Sequence, residues 1–239
     1  MKNSVSIIIA ILEITVFLVL PVILMFSAST FGLEKTEPKL LEINRPKPPS
    51  PLQRGRGRWT HEHDWQTWNS INAFIQEANP SLQDHERKDM SDAIMKWSKH
   101  HKVPTGLVVA VCHVESNFRA GAIGPKTKHG RAYGAMQVMW PTHKDLAESY
   151  SIDHEQMLSA DGGVCVGTRL LKGYIRESGS ISGGLSRYYS KPSSRYIIEK
   201  IMTSYLTFEQ LNSGLISAGE VSKSCQSESE KLKRIVRGR

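Results

Sequence analysis

Apolar and polar positions along the chain divide it into four stretches. The first, residues 5–28, reads VSIIIAILEITVFLVLPVILMFSA, with Glu13 as its one charge and Lys2 ahead of it. About 24 residues at helical rise cover the ~30 Å hydrocarbon core of a bilayer, so residues 1–30 predict one uncleaved transmembrane anchor. The alternative is a cleaved leader ending at Ser27-Ala28-Ser29, although the apolar run exceeds the usual length of such leaders. Lys35, Lys39, Arg45 and Lys47 follow the span, and a count of Lys and Arg alone would keep that flank in the cytoplasm. The second stretch, residues 31–58, contains NRPKPPSPLQRGRGR at 44–58. Its prolines favour extended polyproline geometry and its Arg-Gly repeat a basic spacer, so the segment reads as a linker.

The third stretch, residues 59–206, changes to helical spacing. Trp65, Trp68, Phe74 and Ile75 suit one amphipathic helix ended near Asn79-Pro80, and Met90, Ile94 and Trp97 a second. Pro104 suits a helix start before the apolar run Leu107 to Val111, which leads to Glu115. Gly121 to Gly134 has no helical period and reads as a long glycine-rich loop, with room for a small hairpin inside 121–134. Further helices are expected at about 142–150, 163–177, 183–190 and 194–206. The fourth stretch, residues 207–239, is Ser-rich, ends in KLKRIVRGR and reads as a flexible basic tail. The predicted fold class is therefore mostly α, one helical domain preceded by one transmembrane helix.

Composition adds a partner class. Hydrophobic residues make up 39% of the chain, enough for a real core, and the net charge is +8. That charge favours an anionic partner such as nucleic acid, anionic lipid or a wall polymer bearing carboxylates. Cys112, Cys165 and Cys225 are too few and too odd in number for a disulfide framework and include no C-x-x-C pair. No metal and no cofactor is expected. The HEHDW run, His61 to Trp65, offers only a His-x-His with one neighbouring acid and reads as a solvated helix start.

Glu115 is the candidate for chemistry. A carboxylate at the end of an oily run loses hydration, its charged form becomes costly, and it retains its proton near neutral pH as a general acid requires. The competing reading is an exposed helix face beginning at Glu115. The choice turns on Glu115-Ser116-Asn117-Phe118, a glycine-rich loop, Gly134-Ala135-Met136-Gln137, then Gly163 to Leu171, Gly184 to Tyr189 and Ser194 to Ile197.

In that order and spacing, residues of about 90–205 resemble the catalytic domain of soluble-type lytic transglycosylases, relatives of goose-type lysozyme that cleave the glycan strands of bacterial peptidoglycan. The resemblance implies a lysozyme-like helical domain with Glu115 as the catalytic acid. It implies that Ser116 hydrogen-bonds near the reacting sugar, that Gly134 and Gln137 supply a turn and a polar contact in the groove, and that Met136 forms an apolar wall. Tyr188 matches a tyrosine close to the acid and Tyr196 a later tyrosine on the groove wall. The asparagine of the pattern after Tyr188 is Tyr189 here, and Gly163-Val164 and Leu170 also depart from it.

Residues 117–137 contain no Asp or Glu, while Arg119, Lys126, Lys128, His129 and Arg131 make the loop basic, either to attract muramyl-peptide carboxylates or as a solvated face. A lone acid without a second carboxylate fits lytic transglycosylation between MurNAc and GlcNAc, with a 1,6-anhydromuramyl product, better than hydrolysis. The expected partners are peptidoglycan strands, a membrane through the N-terminal helix, and a phage particle or envelope-spanning machine of secretion or conjugation, with the domain in the periplasm or cell envelope or carried by a virion. A non-catalytic wall-binding module and a lysozyme-type hydrolase are the alternatives. A nucleic-acid binder acting through the basic tails is not favoured, because it leaves the Glu-Ser and Gly-Ala-Met-Gln pair unexplained.

Overall fold

The computed structural model describes residues 62–189, 194–221, 223 and 224, all within one compact unit, Ser50–Arg239. The anchor at 1–30, the linker at 31–58 and the KLKRIVRGR end lie outside the described residues. No helix among the described residues is long and apolar enough to cross a membrane.

Helix α1, Glu62–Ala78, buries Thr67, Ile71, Phe74 and Ile75, one stripe at spacings of three and four. It stops at Asn79-Pro80, where the Asn79 amide donates to the Asn117 carbonyl at 2.8 Å. Helix α2, Asp84–His101, opens on a reciprocal cap: Gln83 N–H donates to the Glu86 carboxylate at 2.9 Å, and the Gln83 side chain accepts from the Glu86 backbone. Asp84 and Glu86 sit in its first turn and Lys99, His100 and His101 in its last, matching the helix dipole. The two helices run antiparallel, tied by Trp68 to Asp92 at 2.8 Å and Arg87 to Asn72 at 3.2 Å.

Helix α3, Thr105–Ser116, follows Pro104 and is the centre of the domain: Gly106 to Cys112 are all buried. A helix covered on every side cannot be amphipathic, which is why Leu107 to Val111 is apolar throughout. It ends by Asn117 and Phe118 turning left-handed (φ 52° and 64°), with Asn117 N–H donating to the His113 carbonyl and Phe118 N–H to that of Cys112. Buried Phe118 then packs edge-on against Phe74 and stacks on His113.

Strands β1, Ala132–Tyr133, and β2, Val138–Met139, pair antiparallel with Ala132 opposite Met139 and Tyr133 opposite Val138. The hairpin therefore sits further along than expected within 121–134. Gly134 and Gln137, at φ 78° and 50°, make the reversal; the glycine-rich stretch contributes β1 at its end and isolated bridges before it. Helix α4, Trp140–Glu148, a 3-10 turn at Gln156–Leu158, and helices α5, Ala160–Ser178, and α6, Ile181–Tyr189, follow; α5 packs on α2 and α3, and the 3-10 turn and α6 pack on α5. Cys112 and Cys165 are buried free thiols.

Helix α7, Ser194–Asn212, packs along α3 and runs six residues beyond the expected end at 206. The reason is burial: Phe208 presses on α3 where Gly106 leaves no room for a side chain, Thr207 is buried too, and Val221 beyond the helix is fully buried. The packed body thus takes in residues first read as tail.

Candidate active site

Glu115 occupies the last turn of α3 at a cavity of about 1270 Å3. One wall is a face of α2 carrying His85, Asp89, Asp92, Ala93 and Lys96. The opposite wall is the loop from Phe118 to Gly124 with Gln137, and Leu158 to Asp161 close the end at the start of α5. Burial raises the Glu115 pKa above the ordinary glutamate value. The Tyr189 hydroxyl, which favours the ionised form, opposes burial and is the weaker influence.

Tyr189 was not expected in this role. Its hydroxyl is buried without a hydrogen-bond partner among the described residues, and burial, followed by the Glu115 charge, raises its pKa. Tyr188, the tyrosine matched to the acid's neighbour, instead donates to the Met136 carbonyl at 2.7 Å. It too is close enough for the Glu115 charge to raise its pKa, second to burial. The sequence shows the Tyr-Tyr doublet, but successive helical residues point about 100° apart, and nothing in the sequence says which one meets the carboxylate.

Three residues expected to touch sugar serve the scaffold. Ser116 is 3% exposed, and its hydroxyl lies 2.8 Å from the Ala135 carbonyl and 3.1 Å from the Cys112 carbonyl, so it ties α3 to the Gly134–Gln137 turn. Met136 is fully buried with its thioether against Gly167 and Thr168, a core side chain and not a groove wall. Gly134 is buried too: a Cβ there would meet the Met157 carbonyl oxygen at 2.4 Å, so the turn fits under the 3-10 segment only as glycine. Gln137 does line the cavity, but its amide N–H groups brace the loop, donating to the carbonyls of Ala122 at 3.2 Å and Gly134 at 3.0 Å. Tyr196 is not brought to the cavity; Lys200 lies over its ring at 4.8 Å on α7.

The charged groups also differ from expectation. Among the loop cations only Arg119 lines the cavity, and its Nε donates to the Ser116 carbonyl at 3.0 Å. Lys126, Lys128, His129 and Arg131 are exposed away from it, which removes the idea that they receive substrate carboxylates there. Carboxylates, absent from 117–137, arrive from elsewhere: Glu86, Asp89 and Asp92 from α2 and Asp161 from α5. Asp161 is held by Lys96 at 2.8 Å and by Trp97 Nε1 at 2.8 Å, and Asp92 by Trp68. Asp89 is exposed at the cavity. The period-four polar face of α2 reads in sequence as a solvated surface, and only the packing turns it into a wall.

His113 is half-buried, with Nδ1 3.0 Å from the Ser204 hydroxyl on α7, and its pKa falls to about 4 through loss of solvent and then the Lys200 charge. It fastens α3 to α7 and does not line the cavity.

Residues 92–192 match the family model described as Transglycosylase SLT domain. This segment is a lysozyme-like lytic transglycosylase domain. The match takes in Glu115, the loop, the Gly134–Gln137 turn and both Tyr188 and Tyr189; it leaves out α1, the start of α2 and Tyr196. No curated protein and no solved structure matches the chain.

Proposed function

We propose, with residues 92–192 taken as a transglycosylase SLT domain, that this chain cleaves peptidoglycan between MurNAc and GlcNAc by lytic transglycosylation, with Glu115 as the single acid and base. The observation that carries the reading is a half-buried carboxyl at an open cavity large enough for several sugar rings, in surroundings that favour its protonated form. Glu115 gives its proton to the glycosidic oxygen and the bond from that oxygen to C1 breaks. The cationic sugar is closed by its own C6 hydroxyl, which forms the new bond to C1 and returns its proton to Glu115. No water is consumed, and the muramyl end is a 1,6-anhydro ring. Ser116, Gly134, Met136 and Tyr188 hold the turn and the helix that frame this carboxyl.

Asp89 supports a second reading. An exposed carboxylate on the facing wall would direct a water to the same carbon and give hydrolysis. Digestion of purified wall by the full-length chain, with mass analysis of the released fragments, separates the two, since the anhydro product is lighter by one water. A zymogram that shows binding without clearing would identify a non-catalytic module. The anchor at 1–30, a location in the cell envelope or a virion, and service to a phage, secretion or conjugation machine belong to the same proposal and rest on the sequence.

A further inference from the structure

The two walls of the cavity differ in charge. The α2 wall presents Glu86, Asp89 and Asp92, and Asp161 stands at the end of the groove. Of the Lys and Arg side chains that line the cavity, Lys96 is paired with Asp161 at 2.8 Å, and Arg119 makes no ion pair among the described residues. The loop holds Arg119 in place. Phe118 before it is buried, and the Ala122 N–H donates to the Arg119 carbonyl at 3.2 Å. Arg119 Nε donates to the Ser116 carbonyl at 3.0 Å, which fixes the guanidinium at the C-terminal end of α3, where a cation suits the helix dipole. That bond occupies one edge of a planar fork. The other edge, Nη1 and Nη2, meets no acceptor among the described residues, and the side chain is exposed at the cavity.

We propose that Arg119 is a specificity-determining residue that receives a carboxylate of the peptide stem on the muramyl sugar, so that this chain selects strands whose stems end in carboxylates over strands whose stems are amidated. This rests on the reading of the cavity as a peptidoglycan groove. The muramyl sugar carries its peptide on a lactyl arm, and a strand lying in the groove brings the carboxylates of that peptide with it. A carboxylate accepts paired N–H bonds from one edge of a guanidinium, a geometry that a lysine cannot reproduce. The Nε bond to Ser116 already restrains the side chain, so less freedom is lost when the carboxylate binds. The facing wall repels the same group, since Asp89 is exposed there and Asp92 stands one turn on. A stem carboxylate is therefore directed to the loop wall. Capping of α3 alone needs only the Nε bond and predicts no preference among substrates.

The test uses two synthetic tetrasaccharides of alternating GlcNAc and MurNAc. Their muramyl sugars bear the same dipeptide, L-alanyl-D-isoglutamine, with a free carboxylate in one probe and a carboxamide in its place in the other. Full-length wild type, Arg119→Gln and Arg119→Lys are compared by the ratio of kcat/KM for the two probes. The ratio of the two Kd values is read by calorimetry in the Glu115→Gln background, where turnover is blocked. Wild type should favour the carboxylate probe by about five- to tenfold in both ratios, the worth of a charge-assisted pair at a partly screened site. Arg119→Gln should erase the preference, and Arg119→Lys, which keeps the charge and loses the fork, should fall between. Equal handling of the two probes by wild type overturns the proposal, as does an undiminished preference in Arg119→Gln. An Arg119→Gln protein that unfolds in less urea yet keeps the preference identifies a cap on α3 and nothing more. If Arg119→Gln fails to fold, Arg119→Lys decides, and a preference equal to that of wild type counts against the proposal. A wild-type chain that cuts neither probe refutes the reaction read for Glu115; its Kd ratio, measured directly, still decides the role of Arg119.

Discussion

Two glycines share an unusual backbone and differ in what surrounds them, so together they measure how tightly the turn beside the acid is packed. Gly134 has φ 78° and Gly179 φ 72°, a region that alanine enters at a cost of about 1–2 kcal/mol. Loss of the flexibility of glycine in the unfolded chain returns about 0.4–1 kcal/mol to alanine at either site. The surroundings separate them. Nothing lies within 4 Å of a Cβ at Gly179, whereas a Cβ at Gly134 would meet the Met157 carbonyl oxygen at 2.4 Å and the Gly163 Cα at 3.3 Å. Both neighbours are backbone and cannot rotate away, and forced overpacking costs about 1–3 kcal/mol. Gly179→Ala should therefore destabilise by about 1 kcal/mol and Gly134→Ala by about 2–4 kcal/mol. Urea unfolding followed by far-ultraviolet circular dichroism measures both, with an unchanged denaturant slope as the check on a common two-state transition. Equal destabilisation of the two variants would refute the close packing of the turn under the 3-10 segment.

Ser116→Ala removes the bridge between α3 and the turn, leaves the buried Ala135 carbonyl without its hydroxyl donor, and should cost about 1–3 kcal/mol in urea unfolding. Glu115→Gln should raise stability at neutral pH. The folded pKa of Glu115 lies above its unfolded value, so folding is penalised progressively as pH rises from the ordinary glutamate range through the raised one; below that range the two proteins should converge. Burial, with His100 and Arg169 adding to it, lowers His101 to about 4, and His113 lies at about 4 as well, so both remain neutral in the fold and charge first in the unfolded chain. Stability should fall as pH drops from 6.5 through 4, and His101→Phe, which also removes a buried Nε2 without a partner, should flatten that fall in denaturation series across pH.

The helices were legible because their buried positions repeat at three and four: Ile71, Phe74 and Ile75 on α1, Met90 and Ile94 on α2, and the wholly apolar α3. Pro104 and Asn79-Pro80 mark boundaries by backbone chemistry visible in the residue type. The ends that slipped were set by tertiary contacts: Phe208 against Gly106 prolongs α7, and the positive φ of Gln137, a residue type with no left-handed preference, moves the hairpin. Within the site, Glu115 could be singled out because a carboxylate after Leu107 to Val111 is chemically conspicuous. Ser116 and Met136 were legible as important but not in their roles. A hydroxyl that meets sugar and one that meets the Ala135 carbonyl are the same residue in sequence, and only the packing separates them. The α2 wall, Asp89 to Lys96, lies some twenty to thirty residues ahead of the acid and has the pattern of any solvated helix face.

The most direct measurement is the mass of muropeptides released from purified peptidoglycan by the wild-type chain and by Glu115→Gln. Wild type should release fragments ending in 1,6-anhydromuramic acid, and Glu115→Gln should release none while unfolding cooperatively and still binding the wall. Hydrated reducing ends would identify a hydrolase with Asp89 or another acid as the guide of water, and substantial release by Glu115→Gln would remove Glu115 from the chemistry.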